Sequence, residues 1–216
     1  MDTATTRVTI VDDDALVLRS LARVVESAGF AVDTYASPRD FLEQRDDSAP
    51  GCVLMDFSMP GLSGLEVQRV LSEARDARPI VFVSALADVP DSVAAMKGGA
   101  VDFVTKPVDR DRLLGAVRAA VERDRAAREA RAARERLEER LGTLTARERE
   151  VLDGVMAGKL NKQIAADLGT AEKTIKVHRS RVMRKMGAGS LAELVRAWLT
   201  LRISRGTGAR NEIGAG

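Results

Sequence analysis

Val8-Thr-Ile-Val-Asp-Asp-Asp14 is a short apolar run that ends in three carboxylates, and it decides the fold of the first half of the chain. Three similar runs follow, each with a polar side chain within two residues of its end: residues 52–55 before Asp56, 80–83 before Ser84, and 101–104 before Lys106. Runs of this length between helical segments form parallel sheets, and the carboxyl ends of the strands meet at one edge. These polar side chains are therefore expected at a single site.

The segments between the runs predict a helix after each strand. They cover residues 16–28, 38–44, 63–74, 90–97 and the chain from 110 onward, with one further strand at residues 31–35. Five such βα units predict an α/β flavodoxin-like fold with a parallel sheet in the strand order 2-1-3-4-5.

The acidic residues at the predicted edge suit a magnesium site. Carboxylates hold Mg²⁺ together with phosphate oxygens. Asp13 and Asp56 are the predicted metal ligands, with Asp12 acting through water. The competing interpretation is that residues 12–14 are a solvated loop and helix start, where carboxylates are also favourable.

The other side chains at this edge suit phosphoryl transfer. Asp56 is the predicted nucleophile that takes the phosphoryl group. The Ser84 hydroxyl and the Lys106 ammonium would hold phosphoryl oxygens. Pro107 allows a cis peptide bond that would direct Lys106 inward.

A single long helix is predicted from residue 110 to residue 141, because the stretch has no proline and only one glycine, Gly115. Residues 123–141 are interpreted as a helical linker. Apolar residues at spacings of three and four in and just after the linker fit a coiled-coil dimer seam, although a solvated spacer helix is the alternative because alanine buries little surface. The residues of this candidate seam are Ala126, Ala130, Ala133, Leu137, Leu141 and Leu144.

A second, all-α domain is predicted over residues 142–203. Thr145 and Glu148 form a capping-box pattern at the start of its first helix. Its four helices are predicted at residues 145–156, 161–168, 170–186 and 190 to about 201. Residues 204–216 contain four glycines and are predicted to be a disordered tail.

The third helix of this domain has one apolar and one basic face. Ile175, Val182 and Met186 form the apolar stripe, and residues 172–185 hold six basic side chains and one acidic side chain. A helix in the major groove needs cations for phosphates and a few groups for base edges. An ordinary solvated face is the alternative. The side chains of the second face are Lys173, Lys176, Val177, Ser180, Arg181 and Arg184, with Arg179 and Lys185 beside them.

Charge and cysteine content limit the class of protein. Residues 1–124 hold 14 Lys and Arg against 21 Asp and Glu, whereas residues 125–216 hold 20 against 11, so the two parts are expected to have different partners. Cys52 is the one cysteine, so no internal disulfide can form. No apolar stretch has the length of a signal or a membrane span, and a cytoplasmic protein without a membrane partner is expected.

Five motifs of the first half occur in a fixed order: Val11-Asp-Asp-Asp14, Met55-Asp-Phe-Ser-Met-Pro-Gly61, Gly64, Val83-Ser84 and Gly99-Ala-Val-Asp-Phe-Val-Thr-Lys-Pro107. With them residues 7 to about 122 resemble the receiver domain of a two-component response regulator, and residues 1–122 are interpreted as that domain. The resemblance implies that Asp56 is the phosphoacceptor, that the Ser58 main-chain carbonyl binds the metal, and that Phe103 turns inward on activation. Ser84 stands where threonine is commoner. Ser58 and Leu86 are placed around the water that removes the phosphoryl group.

Three motifs mark the second domain: Leu144-Thr-Ala-Arg-Glu-Arg-Glu-Val-Leu152, Gly158-Lys-Leu-Asn-Lys-Gln-Ile-Ala165 and Glu172-Lys-Thr-Ile-Lys-Val-His178. They resemble the LuxR-type helix-turn-helix over about residues 142–200, and with the receiver they resemble FixJ-like transcription regulators. The resemblance implies that Lys176, Val177 and Ser180 face bases. His178 is expected to pack or to contact phosphate, and Trp198 to lie in the core rather than at a dimer contact. The implied phosphate contacts are Asn161, Lys162, Thr174, Arg179, Arg181 and Arg184.

The sequence thus predicts a phosphorylation-gated DNA-binding regulator with Mg²⁺ as its cofactor. The expected partners are a sensor histidine kinase, double-stranded operator DNA, RNA polymerase, and a second copy of the phosphorylated chain. The alternative is a regulator that binds DNA without phosphorylation and whose receiver is a passive dimerisation or protein-binding module. An enzyme is not expected, because the chain after residue 142 has no cysteine, one histidine and no glycine-rich phosphate loop.

Overall fold

Five parallel strands form a central sheet in the first half of the chain. The computed structural model describes residues 6–46, 48–74, 76, 78–85 and 89–208. The strands lie in the order β2-β1-β3-β4-β5, which confirms the predicted flavodoxin-like topology. Their bounds are β1 (Arg7–Val11), β2 (Ala31–Tyr35), β3 (Gly51–Asp56), β4 (Ile80–Ser84) and β5 (Asp102–Thr105).

The register brings the carboxyl ends of the strands to the same level. Val11 at the end of β1 pairs with Met55, so that Asp12 and Asp56 each follow one member of this pair. Asp56 itself pairs with Val83, and the next residue, Ser84, pairs with Thr105. The edge predicted from the sequence is therefore a real edge of the sheet.

Four of the helices that pack on the two faces of this sheet come before the long helix, and short polar residues, including Ser37 at the second, cap three of them. They are α1 (Ala15–Glu26), α2 (Pro38–Gln44), α3 (Gly64–Glu73) and α4 (Val89–Lys97). The Asp14 carboxylate caps α1 by accepting from the amides of Leu16 and Val17. Ser63 and Glu66 form a capping box at the start of α3.

Side chains of each strand alternate between two hydrophobic cores, one on each face of the sheet. Cys52 and Leu54 of β3 lie in one core, whereas Val53 and Met55 lie in the other. Because helices cover both faces, the strands read as almost unbroken apolar runs. Burial on both faces thus produces the apolar runs seen in the sequence.

The helix α5 (Arg110–Gly142) is continuous over 33 residues, as predicted. The chain divides into two compact units within it, between Arg128 and Glu129. The candidate coiled-coil seam needs correction, because Leu141 and Leu144 are buried in the core of the second unit and Leu137 packs against that core. The seam pattern in fact marks the edge of a domain core. Only the exposed alanines at 126, 130 and 133 remain of it.

As far as residue 208, the second unit continues with four helices: α6 (Ala146–Met156), α7 (Asn161–Asp167), α8 (Glu172–Met186) and α9 (Leu191–Gly208). The predicted capping box of Thr145 and Glu148 is present. The core includes Ile175 and Val182 from the apolar stripe of α8, and Trp198 packs against it as expected.

The end of α9 differs from the predicted boundary. The helix continues to Gly208, so residues 204–208 are helical although their glycines favoured a tail. A glycine costs a helix only about 1 kcal/mol, which neighbouring helical residues can offset. The rest of the predicted tail, 209–216, lies outside the described residues. Within the described part of the chain, no helix is long and apolar enough to cross a membrane.

Candidate functional site

Lys106 joins two carboxylates at the carboxyl edge of the sheet. Its Nζ lies 2.7 Å from Asp12 Oδ2 and 2.6 Å from Asp56 Oδ1. These three residues are far apart in the sequence, and the sheet brings them together as the strand ends predicted. The peptide bond between Lys106 and Pro107 is cis, as the proline allowed.

The three consecutive aspartates have separate surroundings. Asp12 is 1% exposed, and its Oδ1 accepts a hydrogen bond of 2.9 Å from the Asp14 amide. Asp14 caps α1 and is therefore a structural residue. Asp13 is exposed beside this site. Its role as a metal ligand stays a prediction. The solvated-helix-start interpretation thus fits Asp14 but not Asp12.

Excess negative charge characterises the site. Burial raises the pKa of Asp56, and the hydrogen bond and charge of Lys106 only partly oppose this. Burial would lower the pKa of Lys106, but its hydrogen bonds to Asp12 and Asp56 outweigh burial and raise it. The two pKa shifts have different main causes: burial raises that of Asp56, and two neighbouring carboxylates raise that of Lys106.

The residues present fit a magnesium ion held by few protein ligands. Among the described residues, no group of three or more His, Cys, Asp or Glu side chains could hold a metal. Mg²⁺ does not require such a cage, because it keeps several waters and uses one or two carboxylates plus phosphate oxygens. Asp12 and Asp56 supply two carboxylates within reach of one cation, Lys106.

The remaining predicted residues lie around this pair. Ser58 is exposed, and its amide donates to Asp56 Oδ2 at 2.9 Å, which orients the carboxylate. Ser84 is buried, and its main-chain oxygen accepts from the Lys106 amide at 2.7 Å. Leu86, predicted beside the attacking water, lies outside the described residues.

Phe103 is half-buried and belongs to an aromatic cluster that sequence reasoning missed. Its ring centroid lies 5.6 Å from that of Phe57 and 6.2 Å from that of Phe82. Phe57 directly follows Asp56, so the ring cluster is linked to the acidic site by one peptide bond. In the sequence, the one indication of this aromatic cluster is that Phe57 directly follows Asp56.

Gly64, one of the receiver-like motifs, packs closely against two strands of the sheet. A Cβ at this position would lie 2.7 Å from the main-chain oxygen of Asp56 and 2.8 Å from the Phe82 ring. The start of α3 therefore approaches β3 and β4 more closely than a side chain would allow.

A second candidate site is the exposed face of α8. Six side chains from this one helix line a shallow groove, and they are the predicted second face of the helix: Lys173, Lys176, Val177, Ser180, Arg181 and Arg184. Val177 is 45% exposed in the middle of this basic surface. Thr174 and Lys162 are also exposed, on α8 and on α7.

Three basic residues near the groove have partners within the second unit. Arg179 Nη1 donates to Asn161 Oδ1 at 3.1 Å, so two predicted phosphate contacts are neighbours. Lys176 Nζ lies 3.2 Å from Glu172 Oε1 in an exposed pair. Lys185 is turned away from the face, because its Nζ lies 2.6 Å from Glu148 Oε2 and donates to the Thr143 carbonyl.

His178 lies between the two faces of α8. It is half-buried, and its Nδ1 is buried without a hydrogen-bond partner in the described part of the chain. This position agrees with packing on the core side.

Comparisons with known proteins cover both units. Residues 8–118 match the family model of the response regulator receiver domain, and residues 142–198 match that of the bacterial regulatory proteins of the luxR family. The response regulator protein TodT of Pseudomonas putida is 43% identical over 195 residues, which cover 90% of this chain and 86% of TodT.

Two further proteins, a transcriptional regulator and a response regulator, are similar to the chain along most of its length. The transcriptional regulatory protein FixJ of Rhizobium meliloti is 41% identical over 187 residues, or 87% of this chain and 92% of FixJ. The solved structure of the response regulator StyR superposes with a TM-score of 0.81 at 42% identity, and covers 90% of this chain and 98% of that chain.

Proposed function

The chain belongs to the two-component response regulators with a receiver domain and a LuxR-type DNA-binding domain, and from this premise we propose that phosphorylation of Asp56 controls its binding to operator DNA. As a member of this family it is a transcription regulator and not an enzyme. One observation carries the proposal: Lys106 holds the buried carboxylates of Asp12 and Asp56 together.

In the proposed reaction, an oxygen of the Asp56 carboxylate attacks the phosphorus of a phosphohistidine on a sensor kinase. The P–O bond to Asp56 forms as the P–N bond breaks, and the imidazole leaves with a proton from solvent. A Mg²⁺ held by Asp12, Asp13, Asp56 and the Ser58 carbonyl would supply charge neutralisation. Ser84 and Lys106 would hold the oxygens of the transferred group.

The proposed response begins at the aromatic cluster. A phosphoryl group on Asp56 recruits Ser84 and Lys106, and Phe103 turns further inward against Phe57 and Phe82. The face of α4 with the exposed side chains of Val93 and Met96 then pairs with a second copy of the chain. A dimer joins two DNA half-sites, which raises affinity through effective concentration.

On operator DNA, α8 is the proposed reading helix. Lys176, Val177 and Ser180 face base edges, and the surrounding cations meet phosphates. In this proposal, the DNA-bound dimer also contacts RNA polymerase. The proposed phosphate contacts are Asn161, Lys162, Thr174, Arg179, Arg181 and Arg184.

Phosphate labelling with a small phosphodonor tests the proposed site. The protein should take up label only with a divalent cation, Asp56→Asn should take up none, and Asp13→Ala very little, because the incoming dianion then faces Asp56 without neutralisation. Asp14→Asn is the matched control: asparagine also caps helices, so labelling should persist. Label on Asp56→Asn would refute the assignment.

A further inference from the structure

The helix α5 is fastened to the sheet at the end opposite the acidic site. Asp124 is 4% exposed, and its Oδ2 accepts hydrogen bonds from the Gly51 amide at 2.8 Å and from Arg128 Nε at 2.7 Å. Arg128 Nη1 donates to the Ser48 carbonyl at 2.8 Å, and Nη2 to the Ala49 carbonyl at 2.7 Å. We name these two side chains, with the backbone of residues 48–51, the α5 clamp.

Several features distinguish the clamp from an ordinary helical ion pair. A buried carboxylate is costly unless it is paired and hydrogen-bonded, and Asp124 is both. The guanidinium of Arg128 uses all three nitrogens in a planar fork, which lysine could not reproduce. Gly51 has φ +145°, and a Cβ there would lie 1.7 Å from the Arg7 oxygen, so only glycine lets this amide reach Asp124.

The position of the clamp links two functional parts of the chain. β3 is the middle strand of the sheet and is buried along its whole length, with the clamp at its amino end and Asp56 at its carboxyl end. Arg128 is also the last residue of the first compact unit. The clamp therefore fixes α5 to the phosphoacceptor strand at the point where the helix leaves the receiver.

We infer that the α5 clamp couples the phosphorylation of Asp56 to the DNA-binding domain, by making the amino end of β3 and the linker part of α5 move as one body. This rests on the proposed function, because it assigns the route by which that signal leaves the receiver. Rigid elements joined by a hydrogen-bond network around a buried carboxylate can carry such a coupling. With the clamp broken, α5 no longer follows the strand, and phosphorylation of Asp56 changes DNA affinity less.

Arg128→Met in the full-length protein breaks the clamp and keeps a long side chain. The matched control is Arg131→Met, which removes an exposed ion pair to Glu135 on the same helix. The first measurement is amide hydrogen exchange: Arg128→Met should speed exchange of the Gly51 amide, and Arg131→Met should leave it unchanged. Unchanged exchange in Arg128→Met would overturn the clamp itself.

The second measurement is the ratio of DNA affinities after and before phosphorylation, at one salt concentration. Arg128→Met should take up label like the wild type and keep its unphosphorylated affinity, but its ratio should fall at least about fivefold, a typical lower limit for coupling between sites. Arg131→Met should keep the wild-type ratio. A wild-type ratio in Arg128→Met, with faster Gly51 exchange, would overturn the coupling. A wild-type protein that takes no label would instead refute the proposed function, and the coupling with it.

Discussion

At the scale of single residues, close packing beside Asp56 leads to a first prediction. Gly64→Ala places a methyl group against the main-chain oxygen of Asp56 and the Phe82 ring. Because a backbone oxygen at the end of a central strand cannot easily move, we expect a loss of about 1–3 kcal/mol in the free energy of unfolding, as for overpacking in a core. Phosphate uptake should fall as well, since Asp56 is displaced.

Urea unfolding and labelling of the same samples check this. Gly115→Ala is the matched control, because nothing lies within 4 Å of a Cβ at that helical position. It should be neutral or slightly stabilising. Wild-type stability in Gly64→Ala would mean that α3 does not approach the sheet this closely.

Glu148 supports a second residue-scale prediction, on acid stability. The hydrogen bonds and charge of Lys185, with the Thr145 amide, lower the pKa of Glu148 from 4.5 to about 2. A lowered folded-state pKa stabilises the fold above the unfolded value, and this stability is lost as the pH falls through the folded value. Glu148→Gln should therefore destabilise the second unit at neutral pH and flatten its stability curve between pH 4.5 and about 2.

Circular dichroism of α-helix content during acid titration measures this. Glu150→Gln controls for the loss of a carboxylate from the exposed face of the same helix. If the stability of Glu148→Gln falls with pH as steeply as that of the wild type, the ion pair between Lys185 and Glu148 is contradicted.

The sequence revealed some of these residues and not others, for a physical reason. Asp12, Asp56 and Lys106 each follow an apolar run, so the sheet edge was predictable from local pattern. Asp124 and Arg128 were missed because an acid and a base four residues apart also describe the exposed pair of Arg131 and Glu135. Only tertiary structure tells a buried clamp from a solvated pair.

At the scale of elements, α8 carries the prediction on DNA binding. If each domain of a dimer neutralises five or six phosphates, the logarithmic dependence of affinity on salt should have a slope of about −9 to −11. Arg181→Ala should flatten the slope by about one unit per domain and weaken all sequences alike. Lys176→Ala should instead relax discrimination at one base position by about 1–3 kcal/mol.

Titrations of fluorescent DNA at several salt concentrations separate these effects. Lys185→Met is an informative control, because Lys185 is bound to Glu148 and should contribute nothing to the slope. A slope that flattens in Lys185→Met, or full operator preference in Lys176→Ala, would show that α8 is seated differently on DNA.

The length of α5 follows from its sequence, but the packing of its leucines does not. Its length was predictable, since no proline interrupts it and Gly115 alone does not break a helix. The role of its leucines was not predictable, because apolar residues spaced three and four apart occur both in a dimer seam and in a domain core. Burial of Leu141 and Leu144 decides for the core.

At the scale of the whole molecule, the two units have separate cores, which predicts the outcome of truncation. A fragment from residue 129 keeps Leu141, which is 5% exposed in the core of the second unit, whereas a fragment from residue 142 loses it. Loss of one buried leucine costs about 1.5–3 kcal/mol. The shorter fragment should therefore unfold at lower urea concentration, and equal midpoints would contradict this assignment of the core.

The most direct measurement compares the operator affinity of full-length protein, with Mg²⁺ at one fixed salt concentration, before and after treatment with a small phosphodonor. Wild-type affinity should rise by about 10²-fold, the lower end of what joining two half-sites provides. Asp56→Asn should show no rise, because the phosphoryl group then has no acceptor. Equal affinities before and after treatment, in wild-type protein shown to carry phosphate on Asp56, would contradict phosphorylation-gated DNA binding.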